Sequence, residues 1–356
     1  MKREFLRLFP VPHMLVPKAV GLAIEDDSIT LVQACVPSSA HDVLRIPLEA
    51  SVIERGELKD KTALHLALVA ARRMSNHEHV IVSLPTDAGF LVRMELDSAT
   101  SDIVDSVLLG IEEYVPVDPA ELLVSVELVD VSSQGAKRVL VTAYPSAVVT
   151  AYEEALVGAG FTPVAAESSM HSLARALVHE KTHESTLLVT IGRWRTHAIV
   201  VVACRPWLIS TVGMGWQRIV DSVTRAGQIQ PSEAEHLVFT QGFSYLANRD
   251  LFSLMVPAVA ALRDEVGKVL RFWDSHKERG WDKVRSIDSV ILTGHGAAIP
   301  GIERHMEVGL NMRMHVVSPW DDAARQGSAV SWVLRNESFS YTAATGAYIR
   351  AHNKQW

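Results

Sequence analysis

The chain has 356 residues, of which 48% are hydrophobic and 21% charged, with a formal net charge of -7. That length is more than one hydrophobic core organises and suits about two to four subdomains. The acidic balance leaves no basic field for nucleic acid, and no apolar run approaches the roughly 18 residues that a membrane span needs.

The N-terminal stretch MKREFLRLFPVPHMLVPKAVG starts basic but is broken by Pro10, Pro12 and Pro17. It lacks the unbroken apolar middle of a signal peptide, so a cytoplasmic location is expected. Phe5–Phe9 reads as a tail packing on its own domain, with contact to a membrane or partner as the alternative. Val20–Val36 follows as a hairpin: two apolar runs flank Glu25-Asp26-Asp27-Ser28. His79–Leu84 and Phe90–Leu96 read as strands. Ser98–Val115 reads as an amphipathic helix with Ile103, Val107, Ile111 and Tyr114 on one stripe, stopped by Pro116. Leu122–Val131 and Arg138–Ala143 are two more strands, and Ser146–Ala159 is a helix ended by Gly160. A second hairpin of the same design spans Ser185–Cys204 around Gly192-Arg193-Trp194-Arg195, which suggests a duplicated domain. Helices are expected over Trp216–Ala226, Ser232–Gln241 and Leu251–Glu278, then a strand over Ser286–Thr293. Cys35 and Cys204 are too few for a disulfide framework. Both lie in apolar runs and read as small buried residues in a reducing compartment.

The clearest motif is Val290–Gly301, VILTGHGAAIPG, where an apolar strand runs into Gly294-x-Gly296, then Pro300, Gly301 and a helix over Ile302–Met306. Glycines at a strand end let a flat ligand approach the backbone, and a helix start offers free N–H groups to an anion. Taken alone, such a turn is as readily a plain strand-to-helix connection. His77 and His79 are read as surface histidines, as are His179 and His183, which have i, i+4 spacing but no third metal ligand. Glu112-Glu113 diverge on their helix and read as solvated. Trp273 and Trp281 read as core or partner contacts.

Together, the two hairpins, the LTGxGAxxPG turn and the two inserted subdomains resemble the actin/Hsp70-like ATPase superfamily. Within it the chain resembles the PilM type of pilus protein and, more distantly, FtsA. IPLEASVIERGELKD (Ile46–Asp60), IEEYVPVDPAEL (Ile111–Leu122), GMGWQRIVDSVTRAGQIQPSEAEHL (Gly213–Leu237) and VSPW (Val317–Trp320) carry the likeness, which runs from about Val20 to Ala347. It implies an α/β class: a duplicated actin-like, ribonuclease H-like two-domain fold with an inserted α+β, SHS2-like module. The expected division is 1–45 with 146–184 for the first domain, 46–145 for the module, 185–215 with 286–356 for the second domain, and 216–285 for its helical insertion.

The resemblance also implies an ATP and magnesium site between the two halves, contributed here by Gly192, Glu235, Gly294, Gly296 and Gly301. Its acids, however, are replaced. The family's hairpins carry a DIG-like turn, and Ala23, Glu25 and Thr190 stand where two aspartates and a glycine belong. Such acids hold the metal or position attacking water. A charged Glu25 would repel phosphate by about 1 kcal/mol at ~4 Å in water and several in a partly buried cleft. Asp26 and Asp27 are the nearby substitutes if turnover survives. In Ala234-Glu235-His236-Leu237-Val238 the Glu is kept but Val238 replaces the family's Lys. Glu235 reads either as a ribose contact or as a capping box with Ser232. Arg193, Trp194 and Arg195 are bulky enough to fill the phosphate pocket. Arg193 or Arg195 could pair with Glu25 across the cleft and close it without nucleotide; the alternatives are that the arginines still hold an anion or that all three point into solvent.

The resemblance therefore implies a scaffold rather than an enzyme. It would be cytoplasmic and peripheral to the inner membrane, bind the N-terminal tail of a PilN-like protein and other platform components, and have weak or lost ATP binding. Self-association is left open. The alternatives are an active ATPase of this fold, an FtsA-like division factor, and the cytoplasmic arm of a type II secretion platform.

Overall fold

Three strands open the fold: β1 (Val20–Ile24), β2 (Ser28–Val32) and β3 (Val43–Pro47), paired antiparallel. A miniature hairpin, β4 (Ile53–Glu54) and β5 (Glu57–Leu58), leads to α1 (Lys61–Met74), whose first turn is capped by Asp60. β6 (His79–Leu84) then runs parallel to β1. In this computed structural model the described residues are 18–99, 102–178, 185–246, 248–276, 286–321 and 333–352. The tail Phe5–Phe9, the pair His179 and His183, and Trp281 lie outside them.

After β6 the chain leaves this sheet. β7 (Phe90–Leu96), α2 (Ile103–Gly110), β8 (Leu122–Val131) and β9 (Lys137–Pro145) form a module with strand order β7-β9-β8. α3 (Ser146–Gly158), β10 (Thr162–Ser168) and α4 (Ser169–Leu177) return to the first sheet, whose order is β10-β6-β1-β2-β3. His79–Leu84 thus belongs to the first sheet, although the sequence reading puts residues 46–145 in the module. The sheeted insertion begins only at Phe90. The helix expected over Ser98–Val115 is also shorter. Asp102 accepts from the amides of Val104 and Asp105, fixing a later start, and a tighter turn over Ile111–Glu113 ends it.

The second lobe repeats the first. β11 (Ser185–Ile191), β12 (Thr196–Val202) and β13 (Arg205–Val212) are antiparallel, while β14 (Ile287–Thr293) and β15 (Met314–Val316) extend the sheet in parallel, giving β13-β12-β11-β14-β15. Between β13 and β14 lie α5 (Trp216–Gly227), α6 (Pro231–Thr240) and the long α7 (Arg249–His276). α8 (Ile302–Leu310) links β14 to β15, and a short α9 (Arg335–Ser338) precedes α10 (Thr342–His352). Register makes the duplication explicit. Ile24 pairs with Ile29 across the first turn and Ile191 with Thr196 across the second, so Ala23 and Thr190 are equivalent, as are Glu25 and Gly192.

Both sheets are covered on two faces, which is why their strands read as unbroken apolar runs. Val20, Leu22 and Ile24 face the outer core with α1 and α3, whereas Ala23 faces inward. An inner core joins the lobes: Ala23 and Val32, then Met170, Leu173 and Ala174 of α4, Leu188 and Ile199, and Ala343 and Ala344 of α10. α10 lies so close that a Cβ on Gly21 would stand 2.0 Å from the Ala344 carbonyl oxygen, and one on Gly346 would stand 1.9 Å from that of Ser172.

Three further expectations change. α6 starts at Pro231, with Gln230 as its cap and no side-chain cap bond, so the Ser232–Glu235 capping box does not form. Proline preset for the first helical turn takes that position. Cys35 is exposed and Cys204 only half-buried. The second sits with Ala203 at positive φ in the β12–β13 turn, where its thiol reaches the Val178 carbonyl. Trp273, by contrast, is core.

Candidate functional site

The two hairpin turns meet in a cleft whose empty space, about 780 Å³, includes open solvent. Its floor is acidic on one side and basic on the other. Glu25, Asp26 and Asp27 come from the first turn, Arg193, Trp194 and Arg195 from the second, and Asp87 from the short turn Thr86–Ala88 between β6 and β7.

Arg195 crosses the cleft. Its Nη1 donates to Asp87 Oδ2 at 2.7 Å and lies 3.4 Å from Asp26 Oδ2. Asp87 also meets His197 Nε2 at 3.0 Å and accepts from Thr211 Oγ1 at 2.8 Å. Burial pushes Asp87 up, but the bonds from His197, Arg195 and Thr211 outweigh it and hold its carboxyl well below the usual range. Asp26 behaves oppositely: burial and the nearby Asp87 raise it to about 6 despite Arg195. Asp27 is paired with Arg45 at 3.2 Å.

Burial first, then the charges of Asp27 and Asp26, push Glu25 up to about 8, so at neutral pH it is mostly a neutral acid. The ion pair expected between Glu25 and an arginine is therefore not the one that forms; Arg195 takes Asp26 and Asp87. Glu25 also carries less negative charge at neutral pH than its residue type implies. Arg193 stays in its own lobe. It donates to Gln217 Oε1 at 3.0 Å and lies over the rings of Trp194 and Trp216, at 4.9 and 5.3 Å.

Of the sequence-derived site residues, Gly192 and Gly294 line the cleft and Gly296, Gly301 and Glu235 do not. A Cβ on Gly296 would come within 2.3 Å of Ile191 Cγ2, so this glycine admits the end of β11. Gly301 is the N-cap of α8, packed against the Phe243 backbone, and Val238 lies in the second-lobe core. The flat groups beside the Gly294 turn are the chain's own. His295 lies 4.6 Å from Phe239 and 5.5 Å from Trp216, between ring centroids. Burial, with Arg45 and Arg193, lowers His295 to about 4, so it is neutral.

These residues fit a magnesium triphosphate poorly. Ala23 and Thr190 offer no carboxylate. The first two amides of α5, which could cradle an anion, already donate to the second turn: Trp216 N to Gly192 O and Gln217 N to Arg193 O, both at 3.0 Å. The arginines are engaged, and four carboxyl side chains line the space a polyanion would enter.

Sequence reasoning missed Asp87, His197 and Thr211. Asp87 follows a buried strand in a polar turn, the position where open α/β sheets put ligand-binding groups. That was the available signal.

The chain matches the family model described as type IV pilus assembly protein PilM over residues 21–352. Among solved structures it is similar to a PilM-PilN type IV pilus biogenesis complex, with TM-score 0.76 and 19% identity over 95% of this chain and 99% of that one. It is also similar to the ethanolamine utilization protein EutJ from Carboxydothermus hydrogenoformans, with TM-score 0.55 and 14% identity over 96% and 91%. A third likeness is to MreB5 of Spiroplasma citri bound to AMPPNP, with TM-score 0.53 and 10% identity over 93% and 94%. At these identities the likeness is one of fold. No curated protein sequence matches the chain.

Proposed function

We propose, since the chain belongs to the PilM family of type IV pilus assembly proteins, that it works as a scaffold. In this role it holds the N-terminal tail of a PilN-like inner-membrane protein between its first lobe and the inserted module, and its nucleotide cleft is closed by its own side chains. The solved PilM-PilN complex, which this chain resembles in fold, supports the partner. A short extended peptide gains affinity from backbone pairing and a few apolar anchors. No described helix is long and apolar enough to cross a membrane. In this reading the partner supplies the attachment to the inner membrane from the cytoplasmic side.

The observation that carries the closed cleft is Arg195, which bridges Asp26 and Asp87 while Ala23 and Thr190 occupy the two acid positions. A triphosphate would have to break these pairs and meet the acids they leave behind.

Isothermal titration tests both halves of the proposal. A peptide of the cognate PilN-like tail should bind saturably, and ATP with magnesium should give no saturable heat up to millimolar concentration. Tight, metal-dependent ATP binding would overturn the closed cleft. Absence of tail binding would overturn the scaffold.

A further inference from the structure

Residues 85–89 join the first lobe to the inserted module, and every one of them is held. Tyr144, at the module's returning strand β9, donates its hydroxyl to Pro85 O at 3.1 Å. Thr86 and Ser169 share a buried hydrogen bond of 2.7 Å between hydroxyls. Ala88 packs on Gly56, where a Cβ would come within 2.6 Å of its amide nitrogen, and Gly89 packs as closely on the Tyr144 ring. Asp87 alone is held by the other lobe, through Arg195, His197 and Thr211 of the β11–β13 meander. The module touches that lobe independently. Leu140 joins the second-lobe core, Val129 packs against it, and Arg205 donates to Glu127.

We infer that Asp87 is a positioning residue for the partner site, through which the second lobe fixes the angle of the inserted module on the first. Arg195 is carried by the β11–β12 turn. If the cleft opens, that turn moves away, and Asp87 must either lose its partners or follow them. The segment has no slack, because Pro85, Thr86, Ala88 and Gly89 are each packed, so following means carrying the start of β7 and with it the module. Interlocked, close-packed elements of this kind shift between discrete arrangements instead of deforming smoothly. While Asp87 keeps its partners, cleft state and module angle are one variable. Given the tail-holding role proposed above, on which this inference rests, the groove is shaped for its peptide only while the clamp is made.

The test compares full-length wild type with Asp87→Asn, Arg195→Gln and the double variant. Tail-peptide affinity is measured by titration, and backbone hydrogen exchange is followed at Ala88, Gly89 and the β7–β9 pair. Each single variant should weaken tail binding roughly tenfold, an ordinary size for coupling between sites, and speed exchange at the hinge. The double variant should be no weaker than the worse single, because both act through one contact. Leu262→Val, a core change in the second lobe away from the clamp, should leave tail affinity alone. Unchanged hinge exchange in both single variants would overturn the inference, as would unchanged affinity where wild type binds. If wild type fails to bind the tail, the scaffold function falls, and the inference is then decided by exchange alone.

Discussion

Replacing Glu25 with glutamine should stabilise the protein, and most strongly at alkaline pH. Burial and the neighbouring acids raise this carboxyl from 4.5 to about 8 in the folded state. The native protein therefore binds a proton that the unfolded chain has already released, and stability falls as pH rises from about 4.5 through 8. The full shift corresponds to ~4–5 kcal/mol of native-state penalty above pH 8, taken as an upper figure. Asp26, raised to about 6, adds a penalty of the same sign over a lower and narrower window. Glutamine keeps the shape of the neutral acid and cannot ionise. Urea unfolding of E25Q and wild type should agree within error near pH 4.5 and diverge by about 2 kcal/mol or more at pH 9. Equal stability at both pH values would show that Glu25 is ionised at no cost.

The second large effect is expected at Gly346. Alanine is the better helix former by about 1 kcal/mol, so within an isolated α10 the G346A change would be favourable. In the folded protein the new methyl group would stand 1.9 Å from the Ser172 carbonyl oxygen, which is backbone and cannot swing away. α4 and α10 would have to separate along the inner core that both lobes share. Overpacking of this kind commonly costs 1–3 kcal/mol, and an unyielding neighbour puts the expected loss at about 3 kcal/mol or more. Thermal unfolding of Gly346→Ala checks this; a melting temperature at or above wild type would mean that the two helices part easily.

Much of this architecture was legible in the residues. The strands β1, β2, β11 and β12 announce themselves because both their faces are buried, and the two turns fall at matching register. What was not legible has a common cause in distance along the chain. His79–Leu84 has the composition of any buried strand, and nothing local says that it pairs with β1 and β10 rather than with β7. Ser232 and Glu235 carry the letters of a capping box, but Pro231 beside them fixes a different helix start. Gly294 and Gly296 read as letting a flat ligand approach the backbone. For Gly296 the approaching group is Ile191, and only the folded chain could show that. The cleft was the least legible part. The sequence offered Glu25 as a partner for a crossing arginine, but the partner Arg195 takes, Asp87, lies 108 residues away and carries no motif.

The equivalence of the two turns has an electrostatic consequence. A symmetric pair of phosphate-binding turns presents the same chemistry twice, and two like surfaces have no electrostatic reason to meet unless a ligand sits between them. Here the first turn carries Asp26 and the second Arg195, and the two lie 3.4 Å apart across the cleft. The halves now behave as a tethered heterodimer whose members recognise each other directly. Because one chain carries both, each faces the other at a high effective concentration at all times. In the closed cleft proposed above, each turn stands in the place of the other's ligand.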